Sequence, residues 1–378
     1  MAISYHRPTA IFVDLAVIKE NVAHAVLQQQ GKRDVFVAVK ANGYGHGAVP
    51  VAKAAIAAGA TGLCVATIDE GIALREAGLT QTILILGLVD VQWLPLIIQY
   101  HLAIPVATQE WLEEAWSVYQ NERLSGQVYL HLAVDTGMGR IGFQENQAVL
   151  AAVHWLENHP SFVWEGIFTH FSTADETDNA YWKKQNERFN ILIATLPRAP
   201  RYIHTSNSAT TLWREDVGNV VRLGIAMYGH NPSGGLLPMS PTLKPALSLE
   251  SELVQVKKVP AGAGIGYGKS YETKQSEWIG TVPIGYADGF VRGMQGFYVL
   301  VEGQRCEIIG RVCMDQLMIR LPHSFETGTK VTLIGKNQEE VITIEAIAEH
   351  LGTINYEVLC LLAERIPRHY LNKTGIFE

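Results

Sequence analysis

Eight short runs of apolar, β-branched residues, separated by segments of helical period, constrain the fold of this chain more than any other feature. Between about residues 10 and 230 they read DVFVAVK near Val37, GLCVAT near Cys64, TILIL near Ile83, IPVAT near Val106, QVYLHLAVD near Tyr129, VWEGIFTHF near Ile167, RYIHTSN near Ile203 and NVVRLGIAMYG near Leu223. Runs this continuously apolar belong to strands buried on both faces, which is the habit of parallel sheets covered by helices. The segments between them fit helices. From Asp14 to Gln30, Asp14 can cap the first turn, Ile18, Val22, Ala25 and Val26 share one face, and Gly31 stops the helix. Eight such units predict an α/β fold, a closed (β/α)8 barrel rather than an open sheet.

After Tyr228 the texture changes. NPSGGLLPMSPTLKP is rich in Gly, Pro and Ser, which places a domain boundary near residues 231 to 245. Beyond it, SLESELVQVKKV, EWIGTVPIGYA, GFYVLVEGQRCEIIGRV, DQLMIRLP and TKVTLIGK alternate and are punctuated by Gly and Pro, with helix-like segments near Ile344 and after Asn355. The expected organisation is a barrel over residues 1–240 and a mainly β domain over 241–378.

Charge and composition exclude several classes of partner. Thirty basic against thirty-seven acidic side chains leave a net charge of −7, so no basic field exists to hold nucleic acid or an anionic membrane. A small-molecule substrate is expected. The opening MAISYHRPTAIFVDLAVIKENVAHAV lacks the uninterrupted apolar stretch of a signal peptide, which predicts a cytoplasmic protein. The apolar region from Thr82 to Thr108 is broken by Gly87, Asp90, Gln92, Pro95, Gln99 and His101, so it reads as buried strands and a helix, not a membrane span. Cys64, Cys306, Cys313 and Cys360 form no CxxC pair and suggest neither zinc nor disulfides.

Chemistry enters at Lys40, which closes the first of the eight runs. The C-terminal ends of barrel strands form the active-site face, so a lysine there points into a mouth lined by loops. Desolvation or nearby cations can lower its pKa and make its amine a nucleophile. A lone strand-end lysine more often just reaches solvent. The string AVKANGYGHG decides between the two, because all ten positions resemble the cofactor-attachment segment of alanine racemases. The resemblance implies that Lys40 holds pyridoxal 5'-phosphate (PLP) covalently and that Tyr44 contacts its phosphate. Gly43, Gly45 and Gly47 are expected to let this loop approach the ligand closely.

The resemblance continues over nearly the whole chain. HLAVDTGMGRIG resembles the family segment whose arginine binds the substrate carboxylate, here Arg140; a guanidinium stays charged and grips a carboxylate with two hydrogen bonds. Many members carry a carbamylated lysine seven residues earlier, where this chain has Ala133. A chloride ion or a water beside Arg140 is expected to fill that gap. THFSTADE supplies His170; Asp175 and Glu176 beside it lack ligand spacing and give no metal site. HTSNSAT and VRLGIAMYG supply Ser208, Gly224, Ile225 and Tyr228 after the last two barrel strands, where barrels commonly bind phosphate. The second of these also carries Arg222, which in the family faces the pyridine nitrogen. An arginine there donates a hydrogen bond without giving up its proton, which weakens the ring as an electron sink and favours racemisation over transamination.

AGAGIGYGKSY does not open a dinucleotide site, because KSYETKQSEW does not continue as an amphipathic helix. It resembles the family loop that bears the second catalytic base, Tyr267, with Tyr271 close behind. A phenol needs nearby positive charge to act as a base at neutrality, which the family's chain through His170 to Arg222 would supply. GYADGF with Tyr286, GRVCMDQ with Met314 and Asp315, and TINYEVLC with Tyr356 complete the match. The resemblance implies that Met314 offers its backbone N–H to substrate, that Asp315 lines the site, and that Tyr356 braces the cofactor region. Apart from Tyr356, these second-domain residues would serve the partner subunit of a homodimer. The implied activity is interconversion of L- and D-alanine by two bases, supplying D-alanine for peptidoglycan. A PLP-dependent decarboxylase, a non-catalytic PLP-binding barrel and a lysine-dependent aldolase are the rivals. Arg222 counts against the first, Tyr267 against the second, and an absorbance band near ~420 nm separates the third.

Overall fold

A computed structural model of the chain describes residues 2–239, 243–372 and 375–377. It divides into two compact units, one made of Val17–Gly43 and Ala48–Lys244, the other of Met1–Ala16, Tyr44–Gly47 and Pro245–Glu378.

The first strand, β1 (Ala10–Asp14), precedes the helix α1 (Leu15–Gln28), whose start is capped as expected by Asp14, its Oδ1 accepting from the Ala16 N–H at 2.8 Å. The eight expected runs then form the barrel strands β2 (Asp34–Ala38), β3 (Gly62–Val65), β4 (Thr82–Ile85), β5 (Ala103–Val106), β6 (Val128–Ala133), β7 (Phe162–Phe168), β8 (Tyr202–Ser206) and β9 (Val220–Leu223). Each pairs with the next in parallel, and β9 returns to β2 with Asp34 opposite Val220 and Val37 opposite Leu223, closing the barrel. Val, Ile and Leu dominate because these strands are covered on both sides; β3 and β5 are buried at every position.

Two irregularities interrupt this ladder. Leu130 of β6 faces Trp164 of β7 but His131 faces Gly166, so Glu165 is left over as a bulge. Between β8 and β9 the register jumps from His204 to Ser206, passing over Thr205.

In the other unit an eleven-stranded sheet runs through the described residues. β1 sits inside it, antiparallel to β10 (Leu247–Glu252) and parallel to Arg368–Asn372. Ile11 and Val13 are fully buried while their neighbours are half-buried, the alternation of a strand with one covered face. The first sixteen residues, expected within the 1–240 domain, therefore belong with the mainly β unit.

The segment Tyr44–Gly47 also belongs to this unit. A Cβ at Gly45 would lie 2.5 Å from the Leu359 carbonyl oxygen and one at Gly47 would lie 2.0 Å from the Tyr370 hydroxyl, with φ of +79° and +97°. These two glycines are required by close packing on the second unit's own elements.

Candidate active site

Lys40 follows the end of β2 by two residues and opens a run of backbone that L-residues rarely adopt. Ala41, Asn42, Gly43 and Tyr44 all have positive φ, between 51° and 62°, and form a left-handed turn. Each non-glycine residue held this way costs about 1–2 kcal/mol, so neighbours must over-determine the turn. They do. Glu70 accepts the Ala41 N–H at 2.6 Å and the Ala66 N–H at 2.7 Å, Asn42 Oδ1 accepts the Ala48 N–H at 3.0 Å, and Gly43 donates to the Val39 carbonyl at 2.8 Å. The result is a rigid, strained pedestal beneath the lysine at the barrel's C-terminal face.

Around it stand the other expected barrel residues. Ser208 Oγ accepts the Gly224 N–H at 2.8 Å and the Ala226 N–H at 3.3 Å, which ties the end of β8 to the turn after β9. Its own O–H has no acceptor among the described residues. Ile225 is fully buried, and Tyr228 is core, its hydroxyl donating to the Ala38 carbonyl at 2.9 Å. Arg222 is buried and heavily engaged. Its Nη1 donates to His204 Nδ1 at 2.7 Å and to the His204 carbonyl at 2.9 Å; its Nη2 reaches the Thr169 carbonyl at 3.0 Å, His170 Nδ1 at 3.2 Å and the Thr205 carbonyl at 3.3 Å. Nε–H is the guanidinium donor with no acceptor among the described residues. Burial lowers the Arg222 pKa to about 10, so it stays a cation at neutrality.

His170, joined to Arg222, has its pKa lowered to about 3, by burial first and then by the cations Arg222, Arg140 and Lys40. It is a neutral imidazole, and those cations converge on one electrostatic site at the mouth. Arg140 is exposed on a glycine-rich loop, and Ala133 is buried at the end of β6, its carbonyl accepting the Phe143 N–H at 2.8 Å.

In the second unit, Tyr267, Met314 and Asp315 line one concavity of ≈ 950 Å³, where Tyr267 is 70% and Met314 52% exposed. Arg365 grips Asp315 at 2.5 Å. Tyr271 is not part of that lining; its hydroxyl donates to Glu277 at 2.6 Å, a bracing contact. Tyr286 is exposed on a short 3-10 turn. Tyr44 and Tyr356 face each other with ring centroids 6.1 Å apart.

The sequence reading passed over His131, His204 and Glu165, although all three lie inside quoted strand runs. Histidine and glutamate at buried strand positions were the available signal. Burial lowers the pKa of His131 and His204 as well. The sign of the consequence is fixed. Unfolded histidines titrate near ~6.5, so below that pH the unfolded chain binds protons that the folded chain refuses, and stability falls as pH falls. For His170 the window extends to about 3. The three groups share this sign, so their losses add. Urea unfolding should therefore show a much lower midpoint at pH ~5 than at pH ~7, and equal midpoints would contradict neutral burial.

Comparison with known proteins bears directly on this arrangement. Residues 13–232 match the family described as alanine racemase, N-terminal domain, and residues 246–370 match alanine racemase, C-terminal domain. The chain belongs to the alanine racemase family. A curated alanine racemase of Ligilactobacillus salivarius is 53% identical over 98% of this chain and 100% of its own length. The crystal structure of alanine racemase from E. faecalis superposes with a TM-score of 0.95 at 54% identity, covering 98% of this chain and 100% of the other. That of the Bacillus anthracis enzyme with bound L-Ala-P gives 0.94 at 42% identity, covering 99% and 97%. Alanine racemases are isomerases whose role is to supply D-alanine for peptidoglycan. No helix among the described residues is long and apolar enough to cross a membrane.

Proposed function

We propose that this alanine racemase works in the cytoplasm as a PLP-dependent homodimer that racemises alanine with two bases, Lys40 and Tyr267 of the partner subunit. The observation that carries this reading is the convergence of Lys40, on its strained turn, with Arg222, His170 and Arg140 at one barrel mouth. The residues fit PLP on two counts. The buried Arg222 guanidinium keeps Nε–H in hand for a ring nitrogen, and Ser208, with both lone pairs directed at backbone N–H groups, keeps its O–H for a phosphate beside Gly224 and Ile225. When bound, PLP supplies the electron sink that acidifies the substrate Cα–H.

The protein's share is orientation and proton handling. Arg140 holds the substrate carboxylate, and a chloride ion or a water beside Ala133 supports its guanidinium where a carbamylated lysine stands in other members. Lys40 Nζ takes the Cα proton from the D-isomer, and the Tyr267 hydroxyl oxygen of the partner subunit takes it from the L-isomer. Reprotonation from the opposite face inverts the centre. Tyr44 and Tyr356 brace the cofactor region, and Met314, Asp315 and Tyr286 of the partner subunit line the approach. Arg222 donates without releasing its proton, which keeps the reaction away from transamination.

Loss of optical activity from L-alanine, L-serine and L-lysine, measured side by side, tests the reading, with L-alanine expected to racemise fastest. One extra group in the pocket changes discrimination by only ~1–3 kcal/mol, so some turnover of serine is compatible. Specific activity should fall on dilution in step with the monomer fraction. Full activity in a monomer would remove Tyr267 from the mechanism.

A further inference from the structure

Behind Arg222 a line of polar side chains runs through the apolar interior of the barrel. His204 Nε2 lies 2.7 Å from His131 Nδ1, and His131 Nε2 lies 3.2 Å from Glu165 Oε2. Both histidines are fully buried and Glu165 is 7% exposed. Polar groups in such a place destabilise the fold unless every member is satisfied.

The chemistry of the ends dictates the direction of every proton in between. A guanidinium only donates, so His204 Nδ1, 2.7 Å from Arg222 Nη1, must present a lone pair. A neutral His204 then carries its hydrogen on Nε2 and donates it to His131 Nδ1. His131 in turn carries its hydrogen on Nε2 and donates it to the Glu165 carboxylate, which only accepts. The chain cannot run the other way. On the other side of Arg222 the same logic makes His170 Nδ1 an acceptor and puts its hydrogen on Nε2.

The backbone is shaped to hold this line. Glu165 is the bulged residue of β7, and a Cβ on Gly166 would lie 2.4 Å from His131 Nδ1, so the imidazole occupies the space that a side chain there would need. The His204 ring stacks on Phe168, 5.0 Å between centroids and 6° from parallel.

We propose that Glu165, His131 and His204 are positioning residues of the racemase, a one-way hydrogen-bond chain that locks the rotation of the Arg222 guanidinium and so leaves Nε–H as its outward donor. This rests on the functional reading above, in which that donor meets the ring nitrogen of PLP. Both Nη atoms are committed to fixed acceptors, so the guanidinium cannot turn to offer them instead. A protonated His204 would set N–H against N–H at Arg222 and break the lock.

Two measurements on the full-length protein test it. In the chain labelled with [15N]histidine, signals assigned by single substitutions should show His131, His170 and His204 as neutral Nε2–H tautomers at pH ~7, as purified and after PLP is added. An Nδ1–H tautomer or an imidazolium at His131 or His204 would overturn the proposal whether or not the protein racemises. The second compares two substitutions in the holoenzyme. H204N puts an amide oxygen where Nδ1 stood and retains the acceptor for Arg222, whereas H204Q reproduces only the Nε2 position. H204N should keep kcat within about threefold and H204Q should lose about tenfold or more. If His204 merely fills space, Gln, the closer match in volume, retains more activity than Asn, and the positioning role fails. A wild-type protein without racemase activity would instead sink the functional reading, while the tautomers would still report on the chain itself.

Discussion

Replacing Lys40 with alanine should lower racemisation of alanine by about 10⁴-fold or more, because the change removes a catalytic base together with the cofactor's attachment point. The barrel should survive it. Lys40 is half-buried just after β2, and the left-handed turn that follows is held by Glu70, Asn42 and the Val39 carbonyl, none of which depends on the lysine side chain. The expected stability change is within ~1 kcal/mol, so folding and function separate cleanly in this variant. Measured side by side, a urea midpoint close to wild type and a collapsed kcat are the expected pair. Retention of more than a few per cent of wild-type turnover would place the essential amine elsewhere.

Arg222→Lys is the second variant with a large expected effect, despite the retained charge. Five hydrogen bonds, to two ring nitrogens and three carbonyls, depend on the planar fork of the guanidinium. An ammonium has three donors and cannot reach both His204 Nδ1 and His170 Nδ1 in this geometry. Each buried acceptor left unpaired costs ~1–3 kcal/mol, so the variant should be less stable by ~2–4 kcal/mol. Burial already lowers the Arg222 pKa to about 10, so an amine with a lower intrinsic pKa will titrate near neutrality in the same place. A proton that can leave changes the chemistry as well as the packing. Racemisation should fall by about 10²-fold, and pyruvate, the product of transamination, should rise as a fraction of turnovers. A coupled lactate dehydrogenase assay reads that fraction, and an unchanged one would mean that the guanidinium does not set reaction specificity.

The two variants also mark what the sequence could and could not disclose. The eight barrel strands were legible because a strand covered on both faces must be apolar along its whole length, and Val, Ile and Leu supply that without help from distant residues. β1 was not read as a strand, since its partners β10 and Arg368–Asn372 lie far along the chain and leave no local trace. Lys40 was found through the ten residues around it. The left-handed turn beneath it was hidden, because Ala41 and Asn42 adopt a positive φ that only the tertiary contacts of Glu70 and Ala48 explain. Gly45 and Gly47 were seen, but their close packing on Leu359 and Tyr370 was hidden, because those residues lie far along the chain. His131, His204 and Glu165 stood in plain view within strand runs. Their meaning depends on a bulge at Glu165 and on the glycine beside it, and register is a property of paired strands rather than of one.

All of the chemistry converges on one nitrogen. Reduction of the PLP-loaded protein with borohydride, followed by digestion and mass spectrometry, should place the pyridoxyl group on the peptide that contains Lys40 and on no other lysine. Label on a different amine, or a reduced protein carrying none, would contradict the assignment directly.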